Sequence, residues 1–164
     1  MWPKLSFFLY LLFILSGCAS QANVKEKLPN TNVAEDSLFV RIGGLPVLTQ
    51  VVDEFIDEVT AAPKTKRSFE GLNLKTLKKT VADHLCHLTG GGCIYEGETM
   101  LNAHRDAKIT EAEFEVFVSM FRDTLNKYVG TREKNELLKI LAPMKRDIVT
   151  NEKNQRAEPR ETTN

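Results

Sequence analysis

The chain has 164 residues, which is enough for one domain of ordinary size. Lysine and arginine together number 22, aspartate and glutamate also number 22, and no long block of like charge is present. This balance gives no electrostatic reason to expect a nucleic acid or another polyanion as a partner.

The first 17 residues have the pattern of an export signal. Lys4 precedes an apolar run ending at Leu15, about long enough for a signal-peptide core and too short to cross a bilayer as a helix. The following Ser16-Gly17-Cys18 resembles the lipobox of bacterial lipoproteins. The resemblance implies that residues 1–17 are removed and that Cys18 is lipidated. A plain secretory signal and a single anchor helix are the alternatives.

The rest of the chain divides into three parts. Residues 18–36 are predicted to be the lipidated Cys18 and a polar tether, and residues 151–164 a disordered polar tail. Residues 37–150 are then the folded domain. Ala19 is not the aspartate that resembles an inner-membrane retention signal, so we expect a membrane-anchored lipoprotein of the outer membrane that faces the periplasm.

Cys86 and Cys93 remain once Cys18 is allotted to the lipid, and an exported protein is oxidised enough for them to pair. On one straight helix their Cα atoms would stand about 10 Å apart, beyond the reach of a disulfide. Pairing requires the helix to end between them, which Gly90-Gly91-Gly92 permits. The spacing favours two independent thiols, with a disulfide as the alternative.

The folded segment is predicted to be all-α, because apolar residues recur at helical spacing and no useful alternating segment occurs. Four stripes of such residues mark the main helices: Val47, Leu48, Val51, Val52, Phe55, Ile56 and Val59; Leu74, Leu77, Val81, Leu85 and Leu88; Phe114, Phe117, Val118, Phe121 and Leu125; and Leu137, Leu138, Leu141, Met144 and Ile148. Asn73 is the predicted N-cap of the second helix, and Thr110 with Glu113 has the spacing of a capping box before the third.

The connections at 63–73 and 89–99 are long for a domain with four main helices. So few helices around a small core suggest that something other than side chains fills its middle. Taken alone, this is a weak indication.

The chain has three histidines. His84 and His87 flank Cys86 on the second helix and could suggest a metal site, but no further ligand has a clear place, which favours two surface histidines. His104 stands by itself in a short segment before Thr110, where spacing alone indicates an ordinary polar residue.

Several motifs in one order change the interpretation of His104. From residue 38 to residue 149 the chain resembles group 1 truncated haemoglobins. The matching pieces are Arg41-Ile42-Gly43-Gly44, Val51-Val52-Asp53-Glu54-Phe55, Ser68-Phe69-Glu70-Gly71-Leu72-Asn73, Leu88-Thr89-Gly90-Gly91, Tyr95-Glu96-Gly97 with Met100, Ala103-His104, Ile109-Thr110 with Phe114, and Leu141-Ala142-Pro143-Met144.

This resemblance implies a two-over-two helical sandwich that holds haem b, with His104 as the proximal ligand of the iron. Phe69 matches the phenylalanine that packs on the porphyrin. The other positions expected to bind the haem are Leu77, Val81, Tyr95, Met100, Ile109 and Phe114. Each apolar one could also be ordinary core, whereas a buried Tyr95 would need a partner for its hydroxyl.

The distal side departs from the family pattern. The family usually has a tyrosine after the position of Phe55 and a polar residue at the position of Val81, and these groups hydrogen-bond bound O₂. This chain has Ile56 and Val81 at these positions, and Leu77 is apolar too. The side chains predicted to line the distal pocket therefore form an aliphatic wall of Ile56, Leu77 and Val81. We therefore expect reversible binding of O₂, CO or NO with fast O₂ release. His84, close to one turn beyond Val81, is a weaker candidate for a sixth ligand.

Two other functions remain open at this point. One is a haem enzyme for NO detoxification or peroxide chemistry, which the aliphatic wall argues against because peroxide cleavage needs a polar distal group. The other is a haem-free binding module on a globin scaffold. The presence of both His104 and Phe69 argues against it, because neither residue is required without haem. The sequence names neither an electron donor nor the physiological gas.

Overall fold

The structure, a computed structural model, describes residues 33–150. The predicted signal at residues 1–17, the lipidation site Cys18, most of the tether and the polar tail lie outside the described residues. No helix of the described part combines the length and the apolar character needed to cross a membrane.

Seven α-helices and two short 3₁₀ turns make up the described domain. The helices are α1 (Leu38–Ile42), α2 (Gly44–Ala61), α3 (Leu74–Leu88), α4 (Met100–His104), α5 (Glu111–Tyr128), α6 (Thr131–Leu141) and α7 (Lys145–Ile148), and the 3₁₀ turns are Lys66–Phe69 and Ala142–Met144. Within residues 33–150 the one β-type contact is an isolated bridge between Ile109 and Val149. The all-α prediction is confirmed.

The ends of the long helices are set by the predicted capping residues. The Asn73 side chain accepts a hydrogen bond from the Thr76 amide at 3.1 Å, and α3 ends at Leu88, just before the three glycines. At the start of α5, Thr110 accepts from the Glu113 amide at 3.2 Å while the Glu113 carboxylate accepts from the Thr110 amide at 2.9 Å. These bonds satisfy amides that would otherwise lack partners in the first turn.

The last helix differs from the sequence prediction. A single helix was expected up to Ile148, but α6 ends at Leu141 and the 3₁₀ turn Ala142–Met144 separates it from α7. Pro143 has no backbone amide to donate and crowds the preceding turn, so the α-helical ladder cannot continue through it. The backbone nevertheless keeps right-handed helical angles at Leu141 and at Lys145, the residues that flank the 3₁₀ turn.

Helix α2 lies at the centre of the fold and packs against both α3 and α5, while α5 also packs against α6. The pair α2–α3 therefore lies over the pair α5–α6, in the predicted two-over-two sandwich. Phe55 forms the contact between the pairs, with its ring centroid 4.6 Å from that of Phe117 and 4.8 Å from that of Phe121. Val33, which the sequence placed in the tether, also packs against this core.

Cys86 and Cys93 form a disulfide, so the expectation of two independent thiols was wrong. Helix α3 ends two residues after Cys86, and the glycine-rich turn brings the chain back until the two Cα atoms are 5.7 Å apart. Gly91 makes this return possible, because a Cβ there would lie 2.5 Å from both the Cys86 sulfur and the Phe39 ring.

Candidate functional site

The short helix α4 ends in His104, and its backbone determines which nitrogen of that imidazole is free. The His104 Nδ1 lies 2.8 Å from the carbonyl oxygen of Met100, one turn earlier. A carbonyl only accepts hydrogen bonds, so Nδ1 carries the proton and donates it. The lone pair is therefore on Nε2, the nitrogen that can bind a metal, and a half-buried imidazole presents it.

A salt bridge ties the segment after α4 to two other parts of the domain. The Arg67 guanidinium donates to the carbonyl oxygens of Ala107 at 3.3 Å and Lys108 at 2.9 Å, and it also binds the Glu113 carboxylate. Arg67 belongs to the same 3₁₀ turn as Phe69. The turn with Phe69, the segment after His104 and the start of α5 are thus held together.

Arg67 was not found by sequence reasoning. The residues it binds are 40 to 46 positions away along the chain, and no local spacing connects them. The only signal was its position directly before the matched motif that begins at Ser68 and contains Phe69.

The predicted haem-binding residues share one property, which is that the structure leaves all of them half-buried. This holds for Phe69, Leu77, Val81, Tyr95, Met100, His104, Ile109 and Phe114. The aromatic centre of the fold behaves differently, since Phe55, Leu48 and Leu125 are at most 2% exposed. Large apolar side chains left partly open to solvent are typical of a pocket for an apolar ligand.

The predicted distal wall comes from two adjacent helices. Ile56 lies on α2 and is 2% exposed, whereas Leu77 and Val81 lie half-buried on α3, which packs against α2. None of the three side chains has a hydrogen-bond donor. The arrangement offers no polar group at these positions to a bound ligand.

His84 is not the surface residue that the sequence favoured, because its ring stacks on Tyr95 with centroids 4.2 Å apart and 25° between planes. Burial lowers the pKa of His84, with a smaller effect from nearby His87. Burial also raises the pKa of Tyr95, whose hydroxyl donates to the carbonyl oxygen of Glu98 at 2.8 Å. The hydroxyl that the sequence marked as needing a partner therefore has one.

The alternative of a protein-only metal site at His84, His87 and Cys86 fails on geometry. His87 is exposed and its Nδ1 lies 3.1 Å from the carbonyl oxygen of Cys93, while Cys86 is taken up by the disulfide. No group of three or more histidine, cysteine or acidic side chains among residues 33–150 is placed to hold a metal ion.

A separate groove of about 540 Å³ lies between the outer faces of α2 and α3. Leu45, Leu74 and Ala82 contribute to its lining, and none of the predicted haem-binding residues does. Ion pairs cross its rim, with the Lys78 ammonium 2.8 Å from the Asp57 carboxylate. The groove is distinct from the site at His104.

Comparison with known proteins gives a consistent picture. The family model described as "Bacterial-like globin" matches residues 37–150. A group 1 truncated hemoglobin of Mycolicibacterium paratuberculosis is 30% identical over 117 residues, which cover 71% of this chain and 86% of the relative. A group 1 truncated hemoglobin of Chlamydomonas moewusii is 26% identical over 125 residues, which cover 74% of this chain and 73% of the relative.

Solved structures share the fold. The truncated hemoglobin of Tetrahymena pyriformis in its Fe(III) form superimposes with a TM-score of 0.66 at 23% identity, covering 70% of this chain and 99% of that one. The 2/2 hemoglobin of a Synechococcus species, in the cyanomet state with covalently attached heme, gives a TM-score of 0.65 at 22% identity with the same coverage. At these identities the likeness establishes the two-over-two architecture.

The Arg67–Glu113 salt bridge predicts a defined loss of stability in acid. The hydrogen bond from Arg67, helped by Thr110, lowers the pKa of Glu113 from 4.5 to about 2. A carboxyl whose pKa is lowered by folding contributes stability above its unfolded pKa and loses it as the pH falls through the folded value. The advantage of wild type over Glu113→Gln in unfolding free energy should therefore be full above about pH 5 and shrink steadily toward about pH 2.

Urea unfolding at a series of pH values measures this difference, and glutamine keeps the capping hydrogen bonds while removing the charge. Glu35→Gln, at an exposed position near the start of the described chain, is the matched control and should change stability little at any pH. A wild-type advantage that stays constant over this range would contradict the role given to the salt bridge.

Proposed function

Because the chain belongs to the bacterial-like globin family, we propose that it is a haem protein that binds a diatomic gas reversibly, with His104 as the proximal ligand of the iron. The observation that carries the proposal is the hydrogen bond from His104 Nδ1 to the Met100 carbonyl oxygen, which leaves Nε2 as the metal-binding atom. Within residues 33–150 no hydrogen bond occupies Nε2.

The other residues fit haem b as the occupant. Haem iron, when bound, supplies a coordination position that a diatomic gas can take. The half-buried apolar side chains that the resemblance assigns to the haem would pack on the macrocycle, with Phe69 on the porphyrin face and Phe114 among the lining residues. The Met100 carbonyl orients the imidazole and makes it a stronger donor to the metal.

The side chains of the distal wall decide which gas is retained. O₂ bound to ferrous haem carries partial negative charge, and a missing donor costs about 1–3 kcal/mol of hydrogen-bond energy. By affinity arithmetic this corresponds to about fivefold to somewhat more than a hundredfold in O₂ retention. Ile56, Leu77 and Val81 provide no donor, so we infer fast O₂ release and a preference for CO or NO relative to polar-pocket relatives.

The same wall argues against the enzymatic alternatives. NO dioxygenation needs stably held O₂, and peroxide cleavage needs a polar distal group. A haem-free binding module would not need an imidazole whose proton is fixed on Nδ1. It would also not need the set of large apolar side chains that the fold leaves half-buried. Gas binding or sensing is therefore the function we favour.

The location is a further part of the proposal. We infer that Cys18 carries a lipid and holds the domain at the outer membrane, facing the periplasm. Support comes from the lipobox-like Ser16-Gly17-Cys18 and, independently, from the Cys86–Cys93 disulfide, which fits an oxidising compartment. An electron donor that keeps the iron ferrous would then have to act outside the cytoplasm.

The proximal ligand is tested by visible spectroscopy of the full-length chain, purified in detergent and loaded with haemin. Wild type should show a strong Soret band, and His104→Ala should bind haemin at least about tenfold more weakly, with added imidazole restoring part of the spectrum. His87→Ala is the matched control because its imidazole is exposed and bonded to a loop carbonyl. Absence of haem uptake by wild type would rule out both haem hypotheses.

The distal wall is tested by restoring a donor. Ile56→Tyr should slow O₂ dissociation by about tenfold to a hundredfold, because a phenol can donate to bound O₂. Flash photolysis or stopped flow measures the rate, and Ile56→Leu is the control that changes shape without adding a donor. Since Ile56 is fully buried and tyrosine is larger, Val81→Gln supplies a donor from α3 as a second variant. Wild-type O₂ dissociation rates in both variants would contradict the proposed role of the wall.

A further inference from the structure

The Cys86–Cys93 disulfide joins the last turn of α3 to the loop that leads to α4. Cys86 is completely buried and packs in the core, whereas Cys93 is half-buried in the loop. The bond therefore joins the loop that follows the three glycines to a fixed point of the core.

The loop after Cys93 contacts the same end of α3 at two further points. The Cys93 carbonyl oxygen lies 3.1 Å from Nδ1 of His87, and the Tyr95 ring stacks on His84 at 4.2 Å. The Tyr95 hydroxyl closes the loop on itself by donating to Glu98. Gly97 permits this closure, since a Cβ there would lie 2.5 Å from the Tyr95 ring.

The end of this segment is held by one further contact, because the Asn102 side-chain amide donates to the Glu98 carboxylate at 3.2 Å. Among the described residues, no backbone amide from 93 to 98 donates a backbone–backbone hydrogen bond. One hydrogen bond from the exposed His87 and one ring stack contribute only modestly to fixing the part of the loop that follows Cys93. The disulfide is the one covalent restraint on the position of Tyr95, which is two residues beyond Cys93.

Tyr95 lies between two parts of the haem site. It is itself one of the predicted haem-lining residues, its partner His84 follows Val81 on α3, and its loop leads directly into α4 with His104. Release of this loop would open the edge of the site and free the start of the segment that carries the proximal histidine.

We propose that the Cys86–Cys93 disulfide is a redox-sensitive latch that holds Tyr95 against His84, so that reduction of the bond speeds the loss of haem. The inference rests on the proposed function, since it concerns the retention of haem. Tyr95 acts here as a positioning residue.

The step requires a dithiol reductant. One thiolate of the dithiol attacks the more accessible sulfur of Cys93, the S–S bond breaks, and the Cys86 sulfur leaves as a thiolate that takes up a proton. The second thiolate of the dithiol then displaces Cys93, which also becomes a thiol. The dithiol ends as a disulfide, having given two electrons and two protons to the two cysteines.

The test measures transfer of haem from the full-length, haem-loaded chain in detergent to an excess of apomyoglobin, followed in the Soret region. Oxidised wild type is compared with wild type reduced by a dithiol and desalted under nitrogen. Reduction should speed haem loss about tenfold or more, because the loop regains its freedom. The double variant Cys86→Ala/Cys93→Ala should lose haem at the fast rate, and the same reductant treatment should leave its rate unchanged.

Tyr95→Ala separates the latch from a general loss of stability. With the disulfide intact this variant should already lose haem quickly, and reduction should then add little, so that the two changes are not additive. Leu72→Ala is the control that should keep the full response to reduction, because Leu72 is half-exposed and lies just before the start of α3. Proteolytic cleavage within residues 93–98 should also become faster on reduction in wild type.

The outcomes distinguish the two claims. Failure of the oxidised wild type to take up haem would overturn the proposed function and this inference with it. Haem uptake followed by equal rates of loss from the oxidised and reduced protein would overturn the latch alone.

Discussion

The hydrogen bond between His104 Nδ1 and the Met100 carbonyl oxygen is the interaction on which the proposed haem chemistry of this small domain depends. It fixes one tautomer of the imidazole and leaves a single nitrogen for a metal. A five-residue helix has little stability of its own, so the bond depends on the structure that holds α4 in place. Helix α4 packs against α7, and Arg67 donates hydrogen bonds to the carbonyl oxygens of Ala107 and Lys108 in the segment that follows.

The rest of the fold divides into a closed half and an open half. Helices α2 and α5 meet through Phe55 and its aromatic neighbours, and this half is fully buried without any cofactor. The apolar side chains predicted to bind the haem are only half-buried, as expected where a large flat ligand completes the core. Ile56 would connect the halves, since it is buried in the closed core and is one of the residues proposed to face a bound gas.

The sequence predicted those features that depend on neighbours along the chain. Helical periodicity and the caps at Asn73 and Thr110 are local, and the structure has them as expected. Contacts made by chain reversal were harder to predict: the Cys86–Cys93 pairing across the glycine turn was only the less favoured alternative, and the stack of His84 on Tyr95 was not predicted. The placement of haem-site residues came from resemblance, because no local spacing connects Phe69 with His104.

The most direct test of the account is the iron–histidine stretching band in the resonance Raman spectrum of the ferrous, gas-free protein. The measurement is best made on a chain in which His84→Ala and His87→Ala leave His104 as the only histidine. If His104 is the proximal ligand, this chain keeps the band, and ¹⁵N-histidine shifts its frequency. Loss of the band on removing His84 and His87, with haem still bound, would place the ligand elsewhere and contradict the account.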